Sequence, residues 1–164
     1  MDIYIRKTVP GDVDRIMEIY DTARKFMRST GNMTQWINGY PGRDLILDDI
    51  KKGNSYVGVY DGRVTGTFAF ILGDDPTYSY IEDGEWLNDL PYGTIHRIAS
   101  DGTVHGFLEA AVGFAGGITG NLRIDTHDDN RVMQHLLEKN GFTKCGRIFL
   151  ENGDPRIAYQ RHSV

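Results

Sequence analysis

Gly93-Thr94-Ile95-His96-Arg97-Ile98-Ala99-Ser100, then Asp101-Gly102-Thr103-Val104-His105-Gly106, then Phe107 to Ala115: this stretch decides the fold. The first part reads as a strand, the second as a polar loop and the third as a helix. Asn121-Leu122-Arg123-Ile124-Asp125 reads as another strand. Asp128-Asp129-Asn130 then opens a helical pattern that closes at Asn140-Gly141-Phe142. Residues 93–142 therefore predict strand, loop, helix, strand, helix. A loop that ends a strand and opens a helix presents free backbone N–H groups at the positive end of the helix dipole. Such a loop suits a phosphate, so Gly102 to Leu108 is the expected place for a phosphate-bearing cofactor.

Outward from that stretch, Ile3 and Ile5 alternate with Tyr4 and Arg6 and predict a strand over 2–8. Thr8-Val9-Pro10-Gly11-Asp12 is a turn and cap signal. Ile16, Ile19, Tyr20, Ala23 and Met27 recur at helical spacing and predict a helix from Val13 to about Arg28. Ser29 to Arg43 breaks the period, and Asp44 is expected to cap a short helix through Lys51. Asp61-Gly62 joins strands 55–60 and 63–72 as a two-residue hairpin turn. Residues 73–92 form a long acidic and aromatic connection, a length that is usually functional or ordered on its own. A hairpin over 143–150 and 156–161, turned at Asn152-Gly153-Asp154-Pro155, closes the chain. Hairpins flanking one βαβ unit indicate a mixed α/β, or α+β, sheet.

At 164 residues, with 40% hydrophobic and 25% charged residues, the chain is expected to be one globular domain over 1–164. A net charge of −5 and no sustained basic run disfavour a nucleic-acid partner. No apolar run reaches the length of a membrane span, and the N-terminus lacks an apolar leader, so no membrane and a cytoplasmic location are expected. The single cysteine, Cys145, excludes an internal disulfide and a Cys-rich metal site. No His, Asp and Glu set has metal-ligand spacing, so no metal is expected.

The element order, the loop and Asn130-Arg131-Val132-Met133-Gln134-His135-Leu136-Leu137-Glu138-Lys139-Asn140-Gly141-Phe142 together resemble the GCN5-related N-acetyltransferase (GNAT) superfamily. Asn130, Leu136, Lys139, Gly141 and Phe142 match the family's Asn-x-x-Ala-x-x-Leu-Tyr-x-Lys-x-Gly-Phe pattern. The resemblance covers nearly the whole chain. It implies the order β-α-α-β-β-β-α-β-α-β-β, with a central, mostly antiparallel mixed sheet and helices on both faces. It implies acetyl-CoA as co-substrate and transfer of an acetyl group to the primary amine of a small acceptor in a ternary complex. The chain departs from the family at Thr103, where Gln or Arg is usual, at Leu108, where Gly or Ala is usual, and at Leu137, where Tyr is usual. A Leu108 side chain is expected to crowd a pyrophosphate. Leu137 removes the usual acid for the departing thiolate, although a thiol of pKa about 8.5 leaves fairly well unaided.

By the same resemblance, the backbone at Ile98, Ala99 and Ser100 polarises the thioester carbonyl. Amides of Thr103, Val104, His105, Gly106, Phe107 and Leu108 hold the pyrophosphate. Asn130 either contacts the pantetheine arm or caps its helix, and Lys139 belongs to the same cofactor motif. His96 stands where many members carry a catalytic base, and an imidazole suits neutral pH. The other reading of His96 is a core histidine bonded to a backbone carbonyl. Glu82 and Glu85 are rival bases, ahead of His127 and His135. Trp36, Tyr40, Tyr80 and Trp86 either wall the acceptor pocket, where an aromatic and acidic wall suits a cationic amine, or pack onto the core. Cys145 reads as a buried filler. The expected partner is a small-molecule amine, and the expected state a monomer or homodimer. The competing functions are an acyl-CoA binder without catalysis and a binding protein for a small cationic ligand.

Overall fold

The structure, a computed structural model, describes residues 2–163. In chain order it has β1 (Tyr4–Lys7), α1 (Val13–Ser29), α2 (Arg43–Lys51), β2 (Ser55–Tyr60), β3 (Arg63–Leu72), β4 (Gly93–Ser100), α3 (Phe107–Gly116), β5 (Asn121–Thr126), α4 (Arg131–Lys139), β6 (Thr143–Phe149) and β7 (Pro155–His162). Short 3-10 turns occupy Pro10–Asp12 and Pro76–Tyr78. The strands form a seven-stranded sheet in the order β1-β2-β3-β4-β5-β7-β6. Pairs β1–β2, β2–β3, β5–β7 and β6–β7 are antiparallel, and β4–β5 is parallel at Gly93↔Leu122 and Thr94↔Arg123. This is the mixed, mostly antiparallel architecture that the sequence predicts. The chain forms two compact units, Met1–Phe70 with His96–Phe114, and Ile71–Ile95 with Ala115–Val164.

In the first unit, Asp12 fixes the entry to α1. Its carboxylate accepts the Val9 N–H at 2.9 Å and pairs with Arg6 at 2.8 Å. Helix α1 buries Val13, Ile16, Ile19, Tyr20 and Met27, the face expected from its period. Ile16, Ile19 and Tyr20 pack with Ile46, Val57 and Ala99. The β2–β3 turn has φ of 51° at Asp61 and 74° at Gly62, the left-handed pair that a tight hairpin requires. A second aromatic group joins Tyr56 to Phe68 (5.5 Å) and Phe114 (5.0 Å), and Phe68 to Phe107 (6.2 Å). Helix α2 corrects one expectation: Gly42 is its N-cap, and Asp44 lies inside the first turn. There its charge still complements the helix dipole.

In the second unit, Tyr78, Tyr92, Ile148 and Ala158 form the core, with Ile81, Trp86 and Leu150 against them. The connection over 73–92 is anchored at several points. Glu82 exchanges backbone hydrogen bonds with Arg147 at 3.0 and 2.8 Å, adding a bridge to β6. A Cβ on Gly84 would collide with the Cys145 carbonyl, so only glycine permits that approach. Gln160 and Asn121 are buried and bonded to each other at 2.7 Å, and both reach Asn88.

Candidate functional site

Strand β4 does not run straight. A regular strand alternates its faces, yet His96, Arg97 and Ile98 are all half-buried in succession. The cause is Arg97, whose φ is 54°. A non-glycine residue there costs roughly 1–3 kcal/mol and persists only where the surroundings over-determine it. They do so here. The Tyr20 hydroxyl of α1 donates to the Arg97 carbonyl at 2.8 Å. The Arg97 guanidinium donates through Nη2 to both carboxylate oxygens of Asp49 in α2, at 2.9 and 2.8 Å. The two side chains are only 11% and 6% exposed. Burial alone would lower the Arg97 pKa, but the Asp49 carboxylate and the Tyr40 phenol beside it more than offset that, and it lies above its ordinary value. Burial pushes the Tyr20 phenol well up, so it stays a donor.

The α1–α2 loop is fastened to the same place. Trp36 meets Tyr20 edge-on at 5.4 Å. Arg28 donates to the carbonyls of Asn32 (3.0 Å) and Trp36 (3.1 Å), and Arg24 to that of Tyr40 (3.0 Å). Trp36 and Tyr40, candidate wall residues from the sequence, therefore gather at the β4 kink, next to His96 in the chain. Tyr20, Asp49 and Arg97 were not singled out from the sequence.

The loop after β4 is organised by Asp101, also not singled out. Its carboxylate accepts the Thr103 N–H at 3.0 Å and the Thr103 hydroxyl at 2.6 Å, and pairs closely with Arg15. Its own N–H donates to Thr65 at 2.9 Å. Arg63 reaches the Thr103 hydroxyl at 2.9 Å. The Thr103 amide, expected to face a pyrophosphate, is thus committed inside the loop. The first α3 amides, from Phe107 onward, have no intrahelical partner, and Ala110 is the first to bond, to the Gly106 carbonyl at 3.0 Å. Leu108 is 6% exposed, so its side chain belongs to the interior and does not crowd the loop mouth. A cleft of about 710 Å³ adjoins the loop, lined by Val104, His105, Gly106 and Glu109 with Ile3 and Ile5 of the N-terminal segment. These amides fit a phosphate. The Glu109 carboxylate, in the first turn of α3, and Asp2, which also lines the cleft, work against it.

Burial would raise the Asp101 pKa, but the Thr103 hydrogen bonds and the Arg15 charge outweigh it, and the carboxyl is held below its usual range. A depressed carboxyl stabilises fully above its unfolded pKa of about 3.9, and the effect is lost as pH falls through the lower folded value. Asp101→Asn is therefore expected to flatten the acid limb of the stability curve below pH about 4. An acid limb identical to the parent's in urea titrations would remove Asp101 as the loop anchor.

The second unit holds the remaining candidates. Trp86 donates its indole N–H to the Tyr78 carbonyl at 2.9 Å, and its ring faces Arg123 at 4.0 Å, with Tyr92 on that guanidinium at 3.9 Å. The cation on Trp86 is thus supplied by the chain itself. Tyr80 is 60% exposed and its hydroxyl donates to Glu82 at 2.7 Å. Glu85 is exposed. Asn130 caps α4, its Oδ1 accepting the Met133 N–H at 3.1 Å. Lys139 and His135 are exposed, and Leu137 is fully buried. His127 accepts the Asp129 N–H at 3.0 Å through Nδ1. Cys145 is buried, which pushes its thiol up and keeps it protonated. Among the described residues no three His, Cys, Asp or Glu are placed to hold a metal, and no helix is long and apolar enough to cross a membrane.

No protein-family model and no curated protein matches the sequence. Solved structures do. The chain is similar to an acetyltransferase of the GNAT family from Streptococcus agalactiae at 36% identity, over 99% of this chain and 96% of that one, with a TM-score of 0.88. It is similar in fold to GNAT-family acetyltransferases from Listeria monocytogenes (19% identity, 98% and 95% covered, TM-score 0.71) and Bacillus cereus (19%, 100% and 99%, TM-score 0.62).

Proposed function

Because the chain belongs to the GNAT family of acetyltransferases, we propose that it transfers an acetyl group from acetyl-CoA to the primary amine of a small acceptor, within a ternary complex. The observation that carries this reading is the kink in β4 followed by a loop that leads into α3, whose first amides have no intrahelical partner. Acetyl-CoA supplies an activated thioester and a pyrophosphate. Amides from Val104 to Leu108 bind the pyrophosphate, with Thr103 excluded because Asp101 holds its N–H. The backbone at Ile98 to Ser100, beyond the kink, donates to the acyl carbonyl as negative charge develops on its oxygen. His96, immediately before the kink, takes the proton from the attacking amine. Trp36 and Tyr40 present an aromatic surface suited to a cationic acceptor. Asn130 and Lys139 as cofactor contacts, Glu82 and Glu85 as alternative bases, and Tyr80 and Trp86 as wall residues stand on the sequence resemblance alone.

Two observations favour a second reading, an acyl-CoA binder with weak or no turnover: the committed Thr103 amide and the Glu109 carboxylate in the first turn of α3. Thermal unfolding with acetyl-CoA, CoA and pantetheine tests both. A ligand at about 100 times its Kd raises stability by about 2.7 kcal/mol. Stabilisation by CoA and acetyl-CoA but not by pantetheine is expected, followed by thiol release when a panel of amines is added. Binding without release would leave the second reading. No shift with any of the three would end both readings and favour a ligand site that uses no CoA.

A further inference from the structure

We propose that Tyr20 and Asp49 are positioning residues for acyl transfer, acting through Arg97 to hold the kinked β4 backbone in the orientation that meets the acyl carbonyl. The inference rests on the function proposed above and adds the device that aims the backbone. An N–H in a regular strand is taken up by the sheet. A residue at φ 54° turns the adjoining peptides out of strand geometry. Left to itself, an arginine would leave that conformation.

What holds it comes from outside the strand. Tyr20, on α1, takes the Arg97 carbonyl, and Asp49, on α2, takes the guanidinium through two hydrogen bonds. One partner grips the main chain and the other the side chain, so rotation about the Arg97 backbone breaks at least one contact. Trp36 closes on Tyr20 from the α1–α2 loop, and all three clamp side chains are buried or nearly so. A buried ion pair contributes little net stability over apolar residues of the same volume, but it fixes an orientation. A well-packed core needs no charge at this point. A backbone that must be aimed does, because a donor works only when it is set before the reaction begins.

Tyr20→Phe is the direct test, since it removes one hydroxyl and keeps the ring against Trp36. We expect kcat to fall by about tenfold or more, with the Kd for acetyl-CoA changed by less than about twofold. Hydrogen exchange at the amides of Arg97 to Ser100 should quicken in the same variant. A kcat within about twofold of the parent's with unchanged exchange, or a loss accounted for wholly by weaker acetyl-CoA binding, would overturn the proposal. If the parent protein turns over no amine, the function fails on its own account. The exchange measurement then decides the clamp: unaltered protection of Arg97 to Ser100 in Tyr20→Phe overturns it.

Discussion

Asp49→Ala is expected to destabilise the protein by about 3–5 kcal/mol, the range found when one partner of a buried ion pair is removed. Both charges lie inside, and among the described residues the carboxylate hydrogen-bonded to the Arg97 guanidinium is that of Asp49. Arg97 Nε already has no hydrogen-bond partner, and the contact that would remain, the Tyr40 phenol, is not a carboxylate. Arginine cannot escape by losing its proton, because its pKa is too high. The stranded cation must therefore drag the strand toward water or draw water in. Urea denaturation measures the effect. The informative control is the double variant Asp49→Ala with Arg97→Gly, which leaves no buried charge and places glycine where φ is 54°. It should recover part of the loss. A single variant costing under about 1 kcal/mol would mean that the pair is effectively solvated, as surface pairs are.

Much of this fold was legible because local chemistry and long-range architecture agree. Asp61-Gly62 takes the left-handed pair that its hairpin demands, and the α1 period names the residues that end up buried. The order of strands and helices followed from such signals, and the GNAT resemblance followed from that order with the motif around Asn130. The kink was only half visible. Strict alternation along β4 puts Ile95, Arg97 and Ala99 on one face, and a charge on an apolar face demands a partner. Sequence spacing does not say that the partner is Asp49, because nothing local links positions 48 residues apart. Trp86 shows the same limit of sequence spacing. Its residue type suits a cation, but the cation it meets is Arg123, which belongs to the chain. At Leu108, alignment to a family pattern placed a side chain at the loop mouth, whereas the start of an amphipathic helix turned it inward. Residue type was readable; the partner across the fold was not.

Phe107→Ala should produce the other large effect, a loss of about 3–5 kcal/mol, as for other buried aromatic truncations. Phe107 is the first residue of α3 and is 5% exposed. Its ring occupies the space left by two glycines paired across the β2–β3 hairpin, Gly58↔Gly66. A Cβ on Gly66 would stand 2.5–2.7 Å from three ring atoms, and one on Gly58 would be closer still to the same ring. Removing the ring therefore opens a cavity over bare backbone. The converse substitution, Gly66→Ala, should cost about 1–3 kcal/mol by overpacking. Both changes act on the start of α3, where the amides assigned to the pyrophosphate begin. Each should weaken the binding of CoA and acetyl-CoA. The discriminating combination is Gly66→Ala with Phe107→Ala, in which the new methyl group enters the vacated space. It should be more stable than the sum of the single losses predicts, because residues in contact couple by about 0.5–3 kcal/mol. Strict additivity would show that the ring is not seated on the glycines, and the start of α3 would then need another anchor.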